Sequence, residues 1–268
     1  MTEIDFYDIF QGQIAAFLLV LARTSGIFLI APFFGSMNIP VQIRAAVAII
    51  MAWVTFPVIV EKTAVTAPES ILMFGGTVVQ EIFIGWLIGF IAFVAFAAIN
   101  MAGKIMDMQV GFSVAQVMDP TSGQQSPLIG SFLYNLAIIY FLVVNGHHIL
   151  ISALFESFNR IPLDGMVWNA ALADFIGDIT AGVFLVGMKI AMPVTFSILL
   201  VNVGMGILAR TMPQMNIFVI GIPLHLTIGS FMLMMLLPFF ILFLDSMFES
   251  MYSNIINALK LISSGVVL

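Results

Sequence analysis

Three charged side chains, Arg23, Glu81 and Lys189, stand well inside long apolar runs. A charge so placed is costly in lipid and faces protein or water. In an ion-coupled protein such groups line a proton or ion path. In a structural protein they neutralise one another or a charge on a neighbouring subunit. No series of carboxylates links the three, so Arg23, Arg44, Glu81 and Lys189 are expected to be buried and paired. His147 and His148 are adjacent, so on a helix they point in different directions. They follow Asn145-Gly146, a turn signal, and read as a helix-end cap rather than a metal site. Asp174 and Asp178 share a helix face four residues apart. They read as an exposed helix start, since carboxylates favour the N-terminal turn, rather than as a catalytic acid pair. The phosphate-cradling pattern G-x-x-x-x-G-K-[ST] does not occur, nothing marks a serine as activated, and there is no cysteine. No catalytic residue, metal site or cofactor is expected, and the chain is read as not an enzyme.

The elements that must position these residues are apolar helices. Of 268 residues, 62% are hydrophobic and 8% charged, against roughly 25% charged in soluble domains. The mean hydropathy is +1.16. So few charges cannot build a water-facing surface, and the chain reads as a polytopic, all-α membrane protein. Its net charge of -6 and scattered basic residues exclude nucleic acid as a partner. The acidic start, MTEIDFYDIF, is unlike the positively charged opening of a signal peptide.

Apolar stretches run at 9–31, 41–60, 71–103, 128–153, 170–201 and 217–244. About 20 residues cross the hydrocarbon. The third and fifth stretches exceed that by about half and are expected to tilt, break or project, with Pro193 a kink point in the fifth. From Asp245 onward Phe248, Met251, Tyr252, Ile255, Leu259 and Ile262 share one face, opposite Glu249, Ser253, Asn257 and Lys260. This amphipathic tail is expected to lie on lipid, with packing on a partner as the competitor. Alternate connections hold Arg44, Lys104 and Arg210 on one side and Lys62, Arg160 and Lys260 on the other. The positive-inside rule is therefore tied and gives no orientation.

One segment breaks the apolar pattern: GFSVAQVMDPTSGQQSP, from Gly111 to Pro127, with Asp119 its single charge. Gly111, Pro120, Gly123 and Pro127 break helix and favour turns. Asp119 before Pro120 is biased away from helix. Phe112, Val114, Val117 and Met118 can occlude a passage, while the Ser and Gln side chains suit a wet one. Irregular chain at membrane depth survives only inside protein or beside water. The segment is therefore either a water-facing connecting loop or part of a channel interior. Nineteen methionines add adaptable side chains. Met106, Met108, Met232, Met234 and Met235 are candidates for a deformable gasket, with ordinary core filling the alternative. Gly85 and Gly89 form a small-xxx-small pair that permits close helix packing.

Three stretches in order, PFFGSMNIPVQIR, GFSVAQVMDPTSGQQSP and ARTMPQMNIFVIGIP, resemble the FliR/SctT family of type III secretion export-gate proteins. The PQMN stretch and short C-terminus place the resemblance in the flagellar branch. The resemblance covers essentially the whole chain. It implies bent helical hairpins, with a FliP-like part at 1–160, including a plug loop at 106–127, and a FliQ-like hairpin at 161–268 ending in the amphipathic helix. It implies a hetero-oligomer with FliP and FliQ beside an FlhB-type gate protein, in the flagellar basal body of the bacterial inner membrane. Unfolded flagellar proteins would be its cargo, and the 111–127 segment a luminal plug. Arg210, Pro213, Gln214, Asn216, Gly221 and Pro223 would form the hairpin tip, where Arg210 caps helix carbonyls or meets a subunit's acid. The rival reading is a secondary transporter for a small molecule or ion, with Glu81 and Lys189 as its coupled site.

Overall fold

The computed structural model describes residues 6–32, 34–35, 39–60, 70–112, 127–214 and 216–263. Those residues form seven helices: α1 (Phe6–Ile30), α2 (Val41–Val60), α3 (Ile71–Val110), α4 (Leu128–Val143), α5 (Gly146–Arg160), α6 (Ala170–Thr211) and α7 (Ile217–Ser263). Five are long and apolar enough to cross a membrane, six if the bent pair α4–α5 makes one span. The all-α, polytopic class read from composition holds.

The differences from the expected stretches have local causes. The fourth breaks between α4 and α5 with a 67° bend, where Asn145 sits in the left-handed region at φ 58°. Asparagine tolerates that conformation far better than branched residues do. α3 continues past 103 to Val110, and α6 runs through Pro193 to Thr211. The amphipathic tail is no separate helix but the last turns of α7. Its apolar face is buried at Phe248, Met251, Ile255, Leu259 and Ile262, with only Tyr252 exposed. That burial corrects the lipid-facing expectation, because the chain itself covers the stripe.

By contact the chain forms two compact units, each assembled from separated stretches. The first comprises Met1–Phe93, Asn145–Asp178 and Glu249–Leu268. Its core holds Val20, Ile84, Leu87, Ile88, Leu154 and Ile255, and Phe17 meets Trp53 and Phe56 edge-on. The second comprises Val94–Val144 and Ile179–Phe248. There Phe96, Phe141 and Phe248 form a mutual ring cluster with centroids 5.1–5.8 Å apart. Such separations suit offset and edge-to-face aromatic contact.

Candidate functional site: a buried ion pair and the base of the 111–127 segment

In the first unit, α1 carries Arg23 and α3 carries Glu81, both fully buried. Arg23 Nε donates to Glu81 Oε2 at 2.5 Å and Nη2 to Oε1 at 3.0 Å, a two-pronged pair. Nη1 donates to the Ile161 carbonyl at 3.0 Å and to Ser157 Oγ at 3.3 Å. The guanidinium lies 4.2 Å over the Phe158 ring. Glu81 Oε1 also accepts from the Asp164 backbone N–H, and Asp164 Oδ1 accepts from Thr77. A planar fork matched to a carboxylate is the geometry in which arginine is strongest. The close approach that allows it comes from glycine. A Cβ on Gly85 would fall on the Arg23 carbonyl oxygen, and one on Gly26 on the Ile82 carbonyl. A Cβ on Gly89 would likewise crowd the Ile27 carbonyl, so both members of the small-xxx-small pair lie where α1 and α3 cross, with Gly85 at the closest approach.

The other charges singled out in the sequence are placed differently. Arg44 is half-buried and its Nε donates to the Ile39 carbonyl at 3.1 Å. Lys189 is exposed on α6 and, among the described residues, makes no ion pair. Its expected burial is corrected: on this chain alone, the face of α6 that carries it is uncovered. Glu81 is engaged by Arg23. His148 N–H donates to the Asn145 carbonyl at the start of α5, and among the described residues no group of three or more metal-ligating side chains occurs. Asp174 and Asp178 are exposed near the start of α6.

In the second unit, the segment 111–127 hangs from α3 and α4. Gly111 follows α3 at φ +97°, Phe112 is half-buried, and Pro127 precedes α4. Val114, Val117, Met118, Asp119, Pro120 and Gly123 lie outside the described residues. The two ends of the segment are fastened together by a residue that the sequence reading passed over. Asp107, almost fully buried, accepts from the backbone N–H groups of Ile129 at 2.9 Å and Gly130 at 3.2 Å. These are among the free donors at the start of α4, and a carboxylate there is favoured by the helix dipole. Gly103 and Gly130 make the approach possible, since a Cβ on Gly103 would fall on the Gly130 Cα. The signal was a lone acid in KIMDMQV, hidden by ending the third stretch at 103.

The gasket candidates divide. Met106 is fully buried, Met232 is half-buried, and Met108, Met234 and Met235 are exposed. At the turn between α6 and α7, Arg210, Pro213, Gln214 and Asn216 are exposed. The Ile207 and Leu208 carbonyls near the end of α6 accept from the Thr211 hydroxyl. Gly221 is buried against Met205, and the Pro223 carbonyl accepts from Thr227. His225 Nε2 and Asn202 Oδ1 lie 2.9 Å apart, linking the two helices.

Residues 14–251 match the family described as bacterial export proteins, family 1. The flagellar biosynthetic protein FliR of Bacillus subtilis (strain 168) is 34% identical over 250 residues, covering 92% of this chain and 95% of that protein. FliR of Escherichia coli (strain K12) is 33% identical over 247 residues, covering 90% and 93%. FliR of Caulobacter vibrioides is 30% identical over 224 residues, covering 84% and 88%. An all-helical chain of this apolarity, matched over most of its length in this way, belongs to the bacterial export proteins, family 1, together with these FliR proteins.

Proposed function

We propose that this chain is a non-enzymatic subunit of the flagellar type III export gate in the bacterial inner membrane. It assembles there with FliP and FliQ, adjoins an FlhB-type gate protein, and contributes 111–127 as the plug that closes the idle channel to unfolded flagellar subunits. Family membership supports the export role. The observation that carries the plug reading is the Asp107 fastening: the segment leaves α3 and re-enters α4 at one tied point. Residues 1–160 take the FliP-like part and 161–268 the FliQ-like part, with α6 and α7 as its hairpin. Bidentate engagement of Glu81 by Arg23 leaves the Glu81–Lys189 transporter reading without support.

Deleting Val114 through Gln125 is expected to preserve co-purification with FliP and FliQ while raising the ion conductance of membranes holding the complex. An unchanged conductance in an assembled complex overturns the plug. Recovery of the chain only as a free monomer after co-expression overturns the gate subunit itself.

A further inference from the structure

The connector between α5 and α6, residues 161–169, forms neither helix nor strand. Its apolar side chains are nevertheless packed: Ile161 is fully buried, and Leu163 and Met166 are buried with it. Irregular chain that packs in this way must find partners for its backbone groups outside itself. Two of them come from the ion pair. The Ile161 carbonyl accepts from Arg23 Nη1 at 3.0 Å, and the Asp164 N–H donates to Glu81 Oε1 at 3.3 Å. Thr77, one turn before Glu81 on α3, adds a third tie, its hydroxyl donating to Asp164 Oδ1 at 3.1 Å. All of these residues belong to the first unit.

The connector is shaped to reach those partners. Its turn closes where the Gly165 N–H donates to the Pro162 carbonyl at 3.0 Å. Asp164, inside the turn, has φ 65°, a region that aspartate tolerates better than most residues. A Cβ on Gly165 would press on the Pro162 ring at 2.8 Å. Beyond the turn, the Trp168 ring lies 5.2 Å from that of Phe83, two residues past Glu81 on α3. Asn169 Oδ1 then accepts from the Ala171 N–H at the start of α6.

An apolar pair of similar size would hold α1 against α3 about as well, since taking two charges out of water offsets much of their attraction. It could neither donate to the Ile161 carbonyl nor accept from the Asp164 N–H. That capacity is what the charges add at this crossing. We propose that Arg23 and Glu81 are positioning residues for the connector: 161–164 docks into the pair, which thereby fixes where α6 starts. This role lies outside the export reading and does not depend on the plug.

Two double variants of the full chain separate docking from stability. Arg23→Met with Glu81→Leu fills the crossing with apolar groups. Arg23→Met with Glu81→Gln is equally uncharged but keeps an acceptor for the Asp164 N–H, at the cost of a buried amide. Amide hydrogen exchange over 161–169, α1 and α3 is measured beside the thermal transition in one detergent. The leucine variant is expected to melt no lower than the glutamine variant, yet to exchange about tenfold faster over 161–169, the scale of one hydrogen bond, with α1 and α3 protected in both. Equal exchange over 161–169 in the two variants overturns the proposal, because the connector then holds itself. Faster exchange spread equally over α1, α3 and 161–169 in the leucine variant also overturns it, because the pair then stabilises the unit as a whole. Arg23→Lys keeps the opposite charges, and with them the crossing, but offers one nitrogen in place of a planar fork. It is expected to speed exchange over 161–169 and not in α1 or α3. No change there overturns Arg23 as a positioning residue, whether or not the double variants fold.

Discussion

At the scale of single residues, the Arg23–Glu81 pair shows why buried charge is tolerated here. Each prong is satisfied, and the remaining donor reaches Ser157 and the Ile161 carbonyl. Removing one partner leaves the other charge buried and unmatched, which costs about 3–5 kcal/mol. Arg23→Ala and Glu81→Ala are each expected to destabilise the purified chain on that scale, read from its thermal transition. Arg23→Met with Glu81→Leu is expected to cost much less than the sum of the two, as buried pairs replaced by apolar residues do. Equal and additive losses would show that the pair is not coupled. The sequence made these charges visible because an apolar background isolates them. It did not reveal their partnership, because Arg23 and Glu81 are 58 positions apart and only the crossing of α1 on α3 joins them. Asp107 was missed because KIMDMQV is polar enough to look like a helix end, although α3 continues through it.

At the scale of elements, close crossings depend on absent side chains. Gly85→Ala places a methyl group on the Arg23 carbonyl, an overpacking of a kind that typically costs 1–3 kcal/mol. It also displaces the arginine from its carboxylate. Gly182→Ala on α6 is the matched control, for a Cβ there meets nothing within 4 Å. It is expected to be neutral or to stabilise by up to about 1 kcal/mol through helix propensity. Comparing the melting of the two variants in one detergent separates packing from propensity, and equal effects would refute the crossing argument. The helices themselves were legible, since uninterrupted apolar runs of spanning length have few other uses. Their ends were less so. The break at Asn145 was announced by Asn-Gly, but the extension of α7 through the tail was not, because an amphipathic stripe looks the same whether lipid or the same chain covers it.

At the scale of the whole molecule, composition gave the class, and family membership gave the setting. What composition could not give was the division into units, because each unit draws on stretches far apart in the chain. Long-range closure of this kind depends on tertiary contacts rather than local pattern. The last turns of α7 are the clearest case. Met251, Ile255, Leu259 and Ile262 are buried in the unit that begins with α1. Deleting α7 from Glu249 onward is expected to abolish the cooperative melting of that unit, since each buried aliphatic side chain removed typically costs 2–5 kcal/mol. Retained cooperativity would show that the unit closes without them. On the ribosome, this places a clock in the fold. α1 and α2 emerge early, yet their unit stays open until the last turns of α7 have been made. A nascent chain is therefore held with that unit incomplete while everything between α2 and the end of α7 is made, and the moment of its closure is set by the last turns of α7.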